Sequence, residues 1–157
     1  MQKRAYFDSY WGAGWPELKW LERYFLTSAG RRQFFEEGND SWGLTAQGVD
    51  GSDLMQPNNG RIDINLTILG NPKLGVLLCH QKWGGGLKQT YYSKGDLMRL
   101  GEWVTTVHGD RMPIGLFIPF ESAWTAVREF IEANGALPKG IVWVGDRDLP
   151  RTAFPGP

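Results

Sequence analysis

The chain has 157 residues, 17 basic against 17 acidic, with eight tryptophans, two histidines and a single cysteine. A chain of about 150 residues is most simply one domain able to bury its own core. Balanced charge removes the usual electrostatic argument for nucleic-acid binding, which needs a basic surplus or face. One cysteine, Cys79, excludes an internal disulfide and fits a reducing compartment. The N-terminal MQKRAYFDSYWG has no apolar core of signal-peptide length, and no apolar run approaches the ~20 residues of a membrane span. These features predict a cytoplasmic location.

In chain order, PELKWLERYFLTSA (16–29) predicts a helix with Pro16 at its first position and Glu17 in its first turn. Leu18, Leu21 and Phe25 share a face, and Gly30 marks the expected stop. RRQFFEEGND shows no clear period. SWGLTAQ reads as a strand, and 48–60, with Gly48, Gly51, Pro57, Asn58 and Asn59, as a loop. In RIDINLTIL, Ile62, Ile64, Leu66 and Ile68 alternate with polar residues, the period of a half-buried strand. LGVLLCHQKW predicts its antiparallel neighbour, and Gly84–Gly86 a reversal into LKQTYYS. EWVTTVH and RMPIGLFI read as two more strands, IPFESAWTAVREFIEANG as a helix, and IVWV (141–144) as a short last strand. Residues 146–157, rich in proline and charge, read as a tail. Consecutive strands bracketed by helices predict an α+β fold: a mainly antiparallel sheet of five to six strands packed by an N-terminal and a C-terminal helix.

The motifs offer little chemistry. WGGGLKQTYY joins two strands and lacks the G-x-x-x-x-G-K-S/T pattern of a phosphate loop, so its glycines are expected to serve a turn. Cys79 and His80 are adjacent in a strand and must point to opposite faces, so they form no nucleophile–base pair; Cys79 is expected in the core. Two histidines and one cysteine provide no zinc spacing, and no cofactor motif is present. On a wheel of about 100° per residue, Phe120, Ala123, Trp124, Val127, Phe130 and Ile131 share an arc of about 120°. Glu121, Arg128, Glu129 and Glu132 fall opposite, where Arg128 and Glu132 can pair. That helix is expected to pack, without catalytic acids.

Two features suggest a surface for a partner. Glu36, Glu37, Asp40, Asp50, Asp53 and Asp63 face one basic residue, Arg61, across a loop-rich stretch that includes Trp42. An acidic, partly aromatic patch of this kind could dock on a basic cleft. Trp83, Tyr91 and Tyr92 flank the glycines and read equally as cross-strand pairs or as exposed anchors.

IPFESAWTAVREFIEANGALPKGIVW resembles the C-terminal signature of the first immunity-protein family of bacterial polymorphic toxin systems. The resemblance lies in Ile118–Pro119, in Ala123, Ala126 and Phe130 on the helix, in Gly135 and Pro138, and in the strand Ile141–Trp143. GEWVTTVHGDRMPIG (101–115) is similar to the strand pair that precedes that helix. The similarity covers roughly 60–145, and the first 60 residues carry no comparable pattern. It implies a non-enzymatic cytoplasmic protein that binds one cognate toxin domain, often a nucleic-acid deaminase, in a one-to-one complex. The shared residues are fold-makers, so the toxin contacts are expected elsewhere, at Trp42, Asp50, Asp53, Trp83, Tyr91 and Tyr92. Two alternatives stay open. An enzyme reversing toxin damage would need His80 or His108 beside an acid in a pocket. A stand-alone RNA- or ligand-binding domain would use Trp83, Tyr91, Tyr92 and Lys88 as a stacking platform.

Overall fold

The computed structural model describes residues 1–7 and 10–155, with backbone only at Phe7, Tyr10 and Trp11. Ten strands and three helices follow in the order β1 (Gln2–Phe7), β2 (Tyr10–Ala13), α1 (Leu18–Leu26), α2 (Ser28–Phe35), β3 (Ser41–Gln47), β4 (Asp63–Asn71), β5 (Gly75–Gly84), β6 (Leu87–Ser93), β7 (Trp103–Thr105), β8 (Arg111–Pro113), β9 (Phe117–Ile118), α3 (Phe120–Glu132) and β10 (Trp143–Gly145). Seven strands form an antiparallel sheet in the order β10-β6-β5-β4-β3-β1-β2, and β9 adds to β5 as an eighth. The fold is α+β, as the pattern of elements predicts. The sheet is wider than expected because the N-terminal segment contributes β1 and β2. EWVTTVH and RMPIG make a separate hairpin, β7–β8, outside it.

The expected helix over 16–29 is divided. Thr27 takes an extended conformation, accepts the Gly30 amide on its hydroxyl and starts α2. Gly30 is therefore no stop: it lies inside α2, where any Cβ would run into the Arg23 carbonyl of α1. Glu17 precedes α1 as its N-cap, outside the first turn. Phe34 and Phe35, in the stretch without a period, are buried at the end of α2.

All three helices cover one face of the sheet. Leu44, Ile64, Leu66, Ile68, Val76 and Leu78 meet Leu21, Phe25, Phe35, Val127 and Phe130 there. α3 buries Phe120, Ala123, Trp124, Ala126, Val127 and Phe130, the expected stripe plus Ala126, with Ile131 partly buried beside it. The opposite face is covered only at one end. Leu69, Leu77, Cys79, Leu116, Phe117 and Val144 form a second cluster there, flanked by Met112 of β8 and by Phe154. β5 is thus buried on both faces, which is why VLLC is continuously apolar where β4 alternates.

Of the expected tail, the part up to Phe154 belongs to this layer; residues 156–157 lie outside the described residues. The Trp103 indole donates to the Ala153 carbonyl at 2.8 Å, and Phe154 packs on Tyr92 at 5.2 Å between ring centroids.

Candidate functional site

Register decides which candidate residues can act together. In β5 and β6, His80 lies opposite Tyr91 and Cys79 opposite Tyr92, so each pair shares a face. Tyr91 and His80 face the helix layer, whereas Tyr92, Cys79 and, at the strand end, Trp83 face the other way. The expected platform of Trp83, Tyr91 and Tyr92 is therefore split across the sheet. Tyr92 is further removed by Phe154 above it. Cys79 is in the core as expected, and burial pushes its thiol up to about 12 despite a hydrogen bond shared with Tyr92. Such a thiol is a poor nucleophile.

Trp42 also leaves the list of surface contacts. Its side chain is 1% exposed, stacked on Phe35 at 4.8 Å with Tyr24, Phe25 and Phe34 edge-on around it. The acidic run is dispersed for a related reason. Asp40 is buried and accepts the Val107 amide, which fastens the tip of β7–β8. Asp63 is buried, takes the Arg61 guanidinium on both oxygens at 2.9 Å, and accepts the Gly48 amide. Both acids are structural, so the run is not one acidic patch.

Asp50, Asp53 and Trp83 do come to one end of the sheet. The connection between β3 and β4 is tied down by its own polar groups. Gly48 and Val49 donate to the Ile62 carbonyl at 2.9 Å. The buried Ser52 hydroxyl donates to Val49 at 2.6 Å and accepts the Ile62 amide at 2.8 Å. The loop then lies against the β5–β6 turn. Gly84, at φ +110°, leaves no room for a Cβ beside the Arg61 carbonyl. The reversal expected over Gly84–Gly86 is a two-residue turn of Gly85 and Gly86, both at positive φ.

On this braced loop Leu54 is 92% exposed and Met55 53%; Trp83, at the same end, is 42% exposed. Leu54 and Met55 escape a periodicity reading because they stand in a turn-rich loop. The only cue in the sequence is an apolar pair among Gly, Ser, Asp, Pro and Asn.

A cavity of about 330 Å³ opens beside that loop on the helix-layer side. His80, Lys82 and Tyr91 come from the sheet, Asp50 from the loop, and Gly135 to Leu137 from the segment after α3. The Lys82 ammonium lies 2.6 Å from Asp50 Oδ2. His80 Nε2 lies 2.8 Å from the Gly135 carbonyl, which can only accept, so this nitrogen carries the proton. Burial holds the His80 pKa below its ordinary value, against the opposing pull of that hydrogen bond. His80 thus shares a pocket with an acid, yet its Nε2–H is given to Gly135 and the Asp50 carboxylate to Lys82. His108, by contrast, is exposed at the tip of β7–β8, with Nε2 3.0 Å from Asn39 Oδ1. Among the described residues no three His, Cys, Asp or Glu side chains gather as a metal site, and no helix is long and apolar enough to cross a membrane.

Comparisons of the chain with protein-family models, with curated proteins and with solved structures gave no match.

Proposed function

We propose that the protein is an immunity protein that binds a cognate bacterial toxin domain one-to-one and covers its active-site mouth. The toxin class this reading favours is a nucleic-acid deaminase or another nucleic-acid-targeting enzyme. The family assignment rests on the sequence resemblance over 60–145. The observation that carries the mode of action is the exposure of Leu54 and Met55 on a loop braced by Ser52 and Asp63. Apolar side chains held out on a pre-ordered loop lose little further entropy on binding, which is how a few anchors come to dominate an interface.

Trp83 would add a third anchor, with Asp50 and Asp53 on the rim of the same end. A stable complex needs an interface of about 1,200–2,000 Å² in total, so neighbouring surface must contribute as well.

The test is co-expression with the toxin C-terminal domain encoded immediately upstream. Cells should survive the toxin only when the wild-type chain is present, and the two proteins should co-elute as a one-to-one complex. Leu54→Asp combined with Trp83→Ala should weaken binding at least about a hundredfold, given hot-spot losses of about 2 kcal/mol or more per anchor. The variant's melting temperature should stay unchanged. Failure of the wild-type chain to protect or to co-elute would overturn the assignment. Full protection by the double variant would overturn the anchor site.

A further inference from the structure

The cavity beside Asp50 has features that docking by Leu54 and Trp83 does not use. Its charged groups already have partners, Lys82 with Asp50 at 2.6 Å and the Met1 ammonium with Asp53 at 4.0 Å, and its histidine is kept neutral by burial and fixed by Gly135. A charged ligand would have to compete with the partner that already neutralises each group. A neutral ligand can bind the pair intact. The side chains are 27% exposed for Lys82 and 56% for Asp50. Lys82 retains ammonium protons beyond the one aimed at Asp50, and Asp50 retains its second oxygen, so a donor and an acceptor stand side by side. The Tyr91 ring, Val49, Ile64 and Leu137 give the cavity a flat and apolar wall, and Gln89 adds a neutral polar side chain. The volume, about 330 Å³, is within the range of small-molecule sites.

The frame is also built for rigidity. The only non-glycine residues with positive φ among those described, Asp50 at +56° and Asn134 at +53°, both line this cavity. Asp50 lies within the turn that Ser52 closes by donating from its amide and hydroxyl to the Val49 carbonyl. Asn134 is held by Lys3, whose ammonium donates to Asn134 Oδ1 at 2.7 Å.

We propose that this cavity binds a small, neutral, planar molecule that carries an N–H directly beside a C=O, a cyclic amide or imide of the pyrimidinone type. The ligand carbonyl accepts from Lys82, its N–H donates to Asp50, and its ring lies along Tyr91 over the apolar wall. The site shares Asp50 with the rim of the proposed toxin-binding end, and it is tested on the free protein, without the toxin.

The two histidines make proton NMR a direct readout, because His80 lines the cavity and His108 does not. Uracil is the probe, and 1,3-dimethyluracil is the control that keeps the ring and carbonyls but has no N–H. Uracil should shift the His80 and Tyr91 ring signals saturably, with a dissociation constant of about 1 mM or tighter, and leave His108 in place. Dimethyluracil should bind about tenfold more weakly or worse, the loss expected for one buried hydrogen bond. Lys82→Met and Asp50→Gly should each weaken uracil binding about tenfold. Glycine is chosen because it tolerates φ +56°, and a cooperative thermal transition like that of the wild type shows that each variant is folded. The proposal is overturned if uracil leaves His80 unmoved up to its solubility limit. It is equally overturned if dimethyluracil binds as well, or if acetate or guanidinium ion binds more tightly than uracil.

Discussion

Trp42 illustrates how strongly one side chain can depend on its surroundings. It lies between Phe35, stacked at 4.8 Å, and the edges of Tyr24, Phe25 and Phe34, where α1 and α2 meet β3. No smaller residue fills that volume. Trp42→Ala should cost about 3–5 kcal/mol, read as a lowered denaturant midpoint with an unchanged slope. A loss below about 1 kcal/mol would mean that Trp42 sits at a surface after all. Composition could not place this tryptophan, since both a core and an interface are enriched in tryptophan. Alternation within SWGLTAQ puts Trp42 with Leu44 and Ala46, and that was the cue pointing inward.

At the scale of the element, α3 is where sequence and structure agree best, because a 3.6-residue period over 13 residues is a strong signal. Its acids were expected on the solvent side, and Arg128 does pair with Glu132 at 3.8 Å. Glu129 does more than that. Its Oε2 accepts the amides of Lys139 and Gly140 at 2.8 and 2.9 Å, fastening the chain between α3 and β10. Glu121 likewise holds Arg31 of α2 at 2.8 Å. Glu129→Gln should therefore destabilise by about 1–2 kcal/mol, the range for hydrogen bonds to a charged group, while Glu132→Gln stays within about 0.5 kcal/mol. Chemical denaturation of the two variants side by side checks this, and equal effects would remove the bracing role of Glu129. A wheel shows which way a side chain leaves its helix. It cannot show that a loop ten residues later returns to meet it.

For the whole molecule, the two covered faces of β5 meet at Cys79 and His80, and His80 makes folding sensitive to pH. Its folded pKa lies below the ordinary 6.5 because burial disfavours the imidazolium. Above that value both states are neutral, and the histidine adds no pH dependence. As pH falls through about 6.5 the unfolded chain takes up a proton that the folded chain resists, so stability declines until the folded pKa is reached. Unfolding free energies measured between about pH 7.5 and 5.5 should fall with acidity, and His80→Gln should flatten that slope even if it lowers stability throughout. An unchanged slope in the variant would assign the effect to other groups. The acids with depressed pKa, Glu102 and Glu121, act in a lower range, being lost as pH falls through and below the carboxylate range near 4.5.

The sequence by itself determined the α+β class, the β4–β5–β6 meander, the glycine turn, the packing face of α3 and the opposite orientations of Cys79 and His80. Each is a local property, carried by a repeat period or by a turn that only glycine tolerates. Tertiary structure alone decided that α1 breaks at Thr27, that β1 and β2 widen the sheet, and that the segment to Phe154 closes over Tyr92. It also decided that Asp40 and Asp63 are structural, and that Asp50, Lys82, His80 and Tyr91 enclose one cavity. Those outcomes depend on contacts between residues tens of positions apart. Their energy comes from buried area and from the satisfaction of polar groups, and neither leaves a period in the chain.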